Sequence, residues 1–427
     1  MKICVVGMGK LGLPLAIQIA NSGFEVIGAD IAQDTVEKIN NCLEPFPGEH
    51  NLLAEMKRAQ SAGNFSATTN IGGAISSAQV IIVVVPLVIK GLYEPNFDPL
   101  DAVTSEIGRF VTEGSLVIYE TTLPIGTLRT RFAVAIEKLS GFRIGDQINL
   151  VFSPERVLTG RVFADLRRYP KIVGGITTEC TEKGKAFYER VLQFDSRDDL
   201  PRPNGVWPVG SCEEAEFVKL AETTYRDVNI GLANQFASQA RRMGLDIHKI
   251  IESANSQFFS NIHEPGISVG GHCIPVYPYL YMLSDNSGHV VDAARKQNES
   301  VIDEVVHWIS NRTEKLIDKN VLVLGLAYRP GVKEAYGSGA IQLFEKLKNT
   351  CTNVFVHDSI FSQSEIEEMG LNSWDGRNDV HVVILHTAHQ EYLEFDFSKF
   401  PFLEALVDGR NFYDNRKFPE SIEVFTI

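Results

Sequence analysis

The chain has 427 residues, enough for two or three domains with their own cores. With 40 Lys and Arg against 54 Asp and Glu, its formal charge of −14 excludes nucleic acid or an anionic membrane as the main partner. A polyanionic ligand must instead meet a local cluster of basic side chains.

"MKICVVGMGKLG" enters an apolar strand at once, without a signal-peptide layout. No apolar run approaches the about 20 residues of a membrane span. Six cysteines, at 4, 42, 180, 212, 273 and 351, show neither CxxC nor zinc spacing. The expectation is a cytoplasmic protein with free thiols and no metal.

Along the chain, "KICVVGMG", "FEVIGAD", "AQVIIVVVP", "GSLVIYETT" and "INLVFSPE" are predicted strands, apolar on both faces, with helical stretches such as "LPLAIQIANSG" between them. That alternation predicts a Rossmann-type, doubly wound parallel sheet. From residue 212, "CEEAEFVKLAETTYRDVNIGLANQFASQARRMG" has no proline and a three-to-four apolar period, predicting a helix of seven or more turns. Residues 288–318 are predicted helical. "NVLVLGLAYRPG", "TNVFVHD", "VHVVILHTA" and "ALVDGRN" then predict a second, smaller α/β domain. The division expected is 1–205, 206–315 and 316–427.

Gly7, Gly9 and Gly12 form GxGxxG between the first strand and a helix, and the next strand ends in Asp30, 18 residues beyond Gly12. A Rossmann fold places there the carboxylate that holds the adenosine ribose, with the pyrophosphate on the helix N-terminus. A carboxylate repels the extra phosphate of NADP, so NAD is expected. A bare glycine-rich turn or a FAD site shares the fingerprint. "GISVGGHCIPVYP" sets Cys273 on a glycine-rich loop, where free backbone amides can stabilise a thiolate or a developing oxyanion. Its plain alternative is a small buried hydrophobe; His272 alone does not make a metal site. A nucleophilic thiol combined with NAD points to aldehyde oxidation through a thioester. In "SPERVLTGRVFADLRRYPKIVGG", Arg156, Arg161, Arg167, Arg168 and Lys171 form a basic run, read either as a diphosphate-binding patch or as a solvated face.

"GMGKLGLPLA", "VIYETTLPIGT", "FSPERVLTG", "AEFVKLAETTYRDVN", "GGHCIPVYPY", "LGLAYRPGVKE" and "VVILHTAHQEY", in this order, resemble the nucleotide-sugar 6-dehydrogenases, which act on UDP-glucose, UDP-N-acetylglucosamine or UDP-N-acetylmannosamine. The resemblance covers nearly the whole chain. It implies two successive NAD-dependent oxidations of a C6 alcohol to the carboxylate, a homodimer formed through the middle helix, UDP held by the C-terminal domain, and product bound for polysaccharide biosynthesis. It makes Cys273 the thioester nucleophile, Lys219 the oxyanion stabiliser and Glu155 the group that assists water or proton transfer. Thr122 and the backbone at Val85 and Pro86 then lie beside the nicotinamide, with Lys10 and Leu11 in the cofactor turn. Arg329, after Tyr328, meets the diphosphate. Arg156, Arg161, Thr223, Arg226, Asn229, Gly270 and Gly271 complete the implied substrate contacts. Without the resemblance, Lys219 is a solvated helical lysine and Glu155 an ordinary loop acid.

Four positions depart from the family pattern. Tyr277 replaces an Asp, Thr223 an Asn, Phe259 stands near an expected Arg, and Tyr336 takes the place of another. "PERVLTG" and "RDVN" favour an acetamido sugar, ManNAc or GlcNAc. UDP-glucose oxidation, an enzyme that stops at the aldehyde, and an impaired regulator that binds NAD or a UDP-sugar stay open as alternatives.

Overall fold

The computed structural model describes residues 1–90, 94–284, 288–312, 316–413 and 418–427. They form two compact units, Met1–Ala221 and Glu222–Ile427.

The first unit holds β1 (Lys2–Val6), β2 (Glu25–Ala29), β3 (Phe65–Thr68), β4 (Val80–Val83), β5 (Val88–Lys90), β6 (Glu94–Asn96), β7 (Leu116–Tyr119), β8 (Asn149–Phe152), β9 (Lys171–Gly175) and β10 (Val206–Pro208). Eight of these make one sheet, ordered β10-β9-β8-β7-β4-β1-β2-β3, while β5 and β6 pair separately. The expected strands are present, and β4, β7 and β8 are buried at every position. One pair departs from the parallel expectation: β8 and β9 run antiparallel. A strand buried on both faces reads the same in either direction, so its sequence carries no sign of this. Strand order reverses between β1 and β4, and their carboxyl ends open the crevice where such sheets bind ligands.

The long helix is Cys212–Arg242, and Gly244 at φ +68 ends it. In the second unit its small and polar face meets the helix His289–Arg312. A Cβ on Gly231 would lie 2.9 Å from the Ala294 carbonyl oxygen, so the helices approach closely there. On either side of that contact, Asp227 pairs with Arg295 and Asn234 donates to Asn298 at 2.8 Å. All four polar residues are buried. The helical expectation over 288–318 holds for 289–312; part of the remainder lies outside the described residues.

The second unit's sheet, ordered β12-β11-β13-β14-β15, contains β11 (Asn320–Leu324), β12 (Asn353–His357), β13 (Val382–Leu385), β14 (Ala405–Asp408) and β15 (Glu423–Thr426), all parallel. Its first turn repeats that of the first unit bond for bond. Gly7 (φ +98) donates to the Ala29 carbonyl, and Gly325 (φ +95) to that of His357. Asp30 accepts from the amides of Met8 (2.7 Å) and Ala32 (2.9 Å), and Asp358 from those of Leu326 (2.6 Å) and Ile360 (2.9 Å). In the second copy His389 also lies on the carboxylate, at 3.1 Å, and Asp358 is buried.

Candidate active site

Each glycine of the first turn has a separate steric reason. A Cβ on Gly7 would come within 3.0 Å of the Val84 carbonyl, and one on Gly12 within 1.9 Å of the Gly7 carbonyl. A Cβ on Gly9 would meet nothing within 4 Å, so this residue faces open space. The tight turn, the open approach and the close helix–strand packing are the three requirements of a pyrophosphate cradle. Leu11 precedes the helix Gly12–Asn21, and Lys10 beside it is exposed. Val85 and Pro86 follow β4, whose end is tied to β1 by the Val84 amide on the Val6 carbonyl. Asp30, aimed by two amides and only half-buried, keeps acceptor capacity that would suit ribose hydroxyls. These residues fit an NAD.

Thr122 is half-buried in the turn after β7. Glu216 of the long helix holds that turn, accepting from the amides of Gly126 (2.5 Å) and Leu128 (2.9 Å). Burial pushes Glu216 up to about 8, although both amides pull it down. Lys219, one turn further on, is 8% exposed; the plain reading of a solvated lysine therefore does not hold.

Glu155 is no ordinary loop acid either. Its carboxylate accepts from the Lys171 ammonium at 2.9 Å and from the Arg156 amide at 2.7 Å. Lys171 also donates to Glu120 at 2.7 Å, and the Tyr188 hydroxyl bonds to the other Glu120 oxygen. Burial works to raise Glu155, but the Lys171 charge and the hydrogen bonds overcome it and hold the group below the usual carboxylate range. The Glu155 loop is clamped from outside by Glu49, which accepts from the amides of Gly160 and Val162 at 2.8 Å each.

Three of the five cations in the basic run are paired with acids. Arg161 pairs with Asp165, Arg167 with Asp195, and Lys171 with Glu120 and Glu155. In a chain this acidic, closely spaced cations find carboxylates nearby. Arg156 donates to the Pro170 carbonyl at 3.4 Å.

In the second unit, Cys273 is a free, half-buried thiol, and its carbonyl accepts from the Val276 and Tyr277 amides where the helix Tyr277–Met282 begins. The loop before it is pinned from end to end. Gly266 donates to Asn234, Ile267 to the Gly409 carbonyl, and Ser268 bonds to His386 at 2.8 Å. A Cβ on Gly270 would lie 2.8 Å from the Tyr328 Cβ, and Gly271 has φ +93. Arg329 donates to the Tyr328 hydroxyl at 3.1 Å. Tyr336 stacks on His272 with ring centres 4.0 Å apart, so this departure lies one residue from the thiol. Phe259 is 87% exposed, edge-on to Phe258.

Thr223 is buried on the long helix and Arg226 is exposed. Asn229 uses both ends of its amide within the protein, donating to Tyr225 and the Asn261 carbonyl and accepting from the His263 amide. It therefore positions the segment that leads to the thiol loop.

Sequence reasoning missed three features: the Glu120–Lys171 pair, the Asp227–Arg295 pair, and Arg410. The Arg410 guanidinium donates to the His386 and Ser268 carbonyls, and no carboxylate among the described residues pairs with it. Burial lowers it to about 10. Asp227 sat inside the quoted "RDVN", and the helical period that buries 223, 227 and 234 together could have singled it out. No local signal marks Glu120 as the partner of Lys171, or Arg410.

Residues 1–192, 213–300 and 322–415 match the NAD binding, central and UDP binding domains of the UDP-glucose/GDP-mannose dehydrogenase family. The chain is 30% identical over 421 residues to the UDP-N-acetyl-D-mannosamine dehydrogenase of Pyrococcus horikoshii, covering 96% of each. It is 31% identical over 403 residues to that of Methanocaldococcus jannaschii, covering 92% of this chain and 87% of the relative. A solved UDP-N-acetyl-mannosamine dehydrogenase from S. aureus superposes with a TM-score of 0.84 at 28% identity, over 100% of this chain and 98% of that one. With its cofactor turn, its buried Lys219 and its pinned thiol loop, this chain belongs to the UDP-glucose/GDP-mannose dehydrogenase family.

Proposed function

We propose that the chain oxidises the C6 hydroxyl of a UDP-N-acetylhexosamine, UDP-N-acetylmannosamine before the GlcNAc epimer, to the carboxylate. The overall change is alcohol, two NAD⁺ and water giving carboxylate, two NADH and three protons. Bound NAD supplies the hydride acceptor for both oxidations. Glu155 accepts protons, directly or through water, and Lys219 stabilises the oxygen anion at C6. The Cys273 sulfur adds to the aldehyde, so the intermediate stays covalently attached. After the second oxidation the sulfur holds a thioester; water adds to its carbonyl, the C–S bond breaks and the thiolate leaves. Thr122, Val85 and Pro86 border the nicotinamide, and Arg329 with Tyr328 faces the diphosphate.

The observation that carries this reading is the placement of Cys273: a half-buried free thiol at the end of a loop whose glycines pack against Tyr328 of the second sheet. A thiol that must stay reduced suits the cytoplasm. Phe217, Tyr225, Leu232 and Phe236 lie exposed on one stripe of the long helix, which supports a homodimer formed through it.

A panel of UDP-sugars with NAD⁺, followed by NADH absorbance, tests the function. Two NADH per sugar are expected for the ManNAc compound. Cys273→Ser should make no acid, and mass spectrometry should find the sugar on Cys273 in the native protein. Full acid production by Cys273→Ser overturns the reading.

A further inference from the structure

Two carboxylates share one ammonium inside the first unit. Glu120 at the end of β7 is 0% exposed, Lys171 at the start of β9 is 5%, and Glu155 in the loop after β8 is 10%. Tyr188, from the helix Thr178–Val191, closes the far side with its hydroxyl on Glu120, and the Lys171 ammonium lies 5.0 Å from its ring centre. The Arg156 amide also donates to Glu155, at 2.7 Å. With all three groups ionised the cluster would carry one uncompensated negative charge in a largely buried site, which is unfavourable. One proton removes that cost, and the geometry says where it goes. Glu120 is the deeper acid, while Glu155 receives both the ammonium and a backbone N–H.

We propose that Lys171 and Glu120 are positioning residues for Glu155, fixing the direction of its carboxylate and keeping it the ionised member of the pair. This rests on the reading of Glu155 as the proton acceptor. The directions of titration agree with the geometry. Burial pushes Glu120 up to about 7 even though Lys171 pulls it down, whereas Glu155 is held below the ordinary range. Lys171 stays charged, because the two acids outweigh its burial. The result is a base that remains ready to accept a proton well below neutral pH.

The test is the pH profile of kcat with UDP-N-acetylmannosamine and NAD⁺ for Lys171→Met, Lys171→Arg and Glu155→Gln, each first checked for a cooperative thermal melt. Without the ammonium, Glu155 keeps a proton to higher pH. Lys171→Met is expected to lose tenfold or more in kcat at pH 6.5 and to recover to within about threefold of wild type at pH 9. KM for both substrates should change little, and Lys171→Arg should restore the acid limb. If Lys171→Met does not fold, the double variant Lys171→Met/Glu120→Leu replaces the ion pair with apolar side chains and should show the same shift. An unshifted acid limb in the folded variant, while Glu155→Gln abolishes turnover, overturns the positioning role alone. Full turnover by Glu155→Gln overturns the reading of Glu155 and this proposal with it.

Discussion

Asp30 shows how much one side chain can reveal before a structure is known. Its distance from the glycines is a property of a single β-α-β unit, so the fingerprint is local and legible in the sequence. The structure adds that two backbone amides aim the carboxylate. Asp30→Ala should raise KM for NAD⁺ roughly tenfold or more, since charge-assisted bonds to the ribose are lost. Steady-state kinetics with NAD⁺ and NADP⁺ should also show the preference between them shrinking. Lys171 is the opposite case. Its position within "YPKIVGG" says nothing of Glu120, 51 residues earlier, because the antiparallel β8–β9 pairing brings them together. Lys219 stands between the two: the resemblance gave it a role, and only packing shows that it is buried.

Among the elements, the long helix was the most legible, because an unbroken period without proline over thirty residues has few other outcomes. Its partners were not. Glu216 binds the amides at 126 and 128, some 90 residues away, a pairing that no periodicity encodes. Folding raises this carboxyl to about 8 from an ordinary value near 4.5. Its stabilising contribution is therefore complete below pH 4.5 and is lost as pH rises through 8. A Glu216→Gln variant does not titrate there. Urea melts between pH 5 and 8.5 should show the advantage of wild type over this variant narrowing with pH, by on the order of 3 kcal/mol. A constant gap would mean that the carboxyl is ionised throughout. The four-then-three spacing of Asp227, Gly231 and Asn234 shows the same limit: the small and polar face was visible, but not the helix that covers it.

For the whole molecule, two α/β sheets separated by helices were readable from the order of the elements. Family membership rests on motifs spread over nearly all of the chain. Composition raised the question of where a diphosphate meets positive charge, and in the basic run after Glu155 three of the five cations, Arg161, Arg167 and Lys171, are paired with acids. Assembly is the remaining whole-molecule property. A dimer formed through the exposed stripe of the long helix should appear in sedimentation at micromolar concentration. The pair Leu232→Glu/Phe236→Glu should shift it to monomer without lowering the melting temperature of the subunit. An unchanged sedimentation coefficient would place the dimer interface elsewhere or remove it.

Asp358 occupies in the second sheet the place that Asp30 holds in the first, yet it is buried, and its carboxylate already takes four hydrogen bonds from its own loop and His389. A nucleoside laid across that sheet finds no acidic hook at the strand tip. On the function proposed above, its grip comes from the side, from Tyr328, Arg329 and the glycine backbone leading to the thiol. On that same proposal, the loop that presents the sulfur would respond to a bound nucleotide.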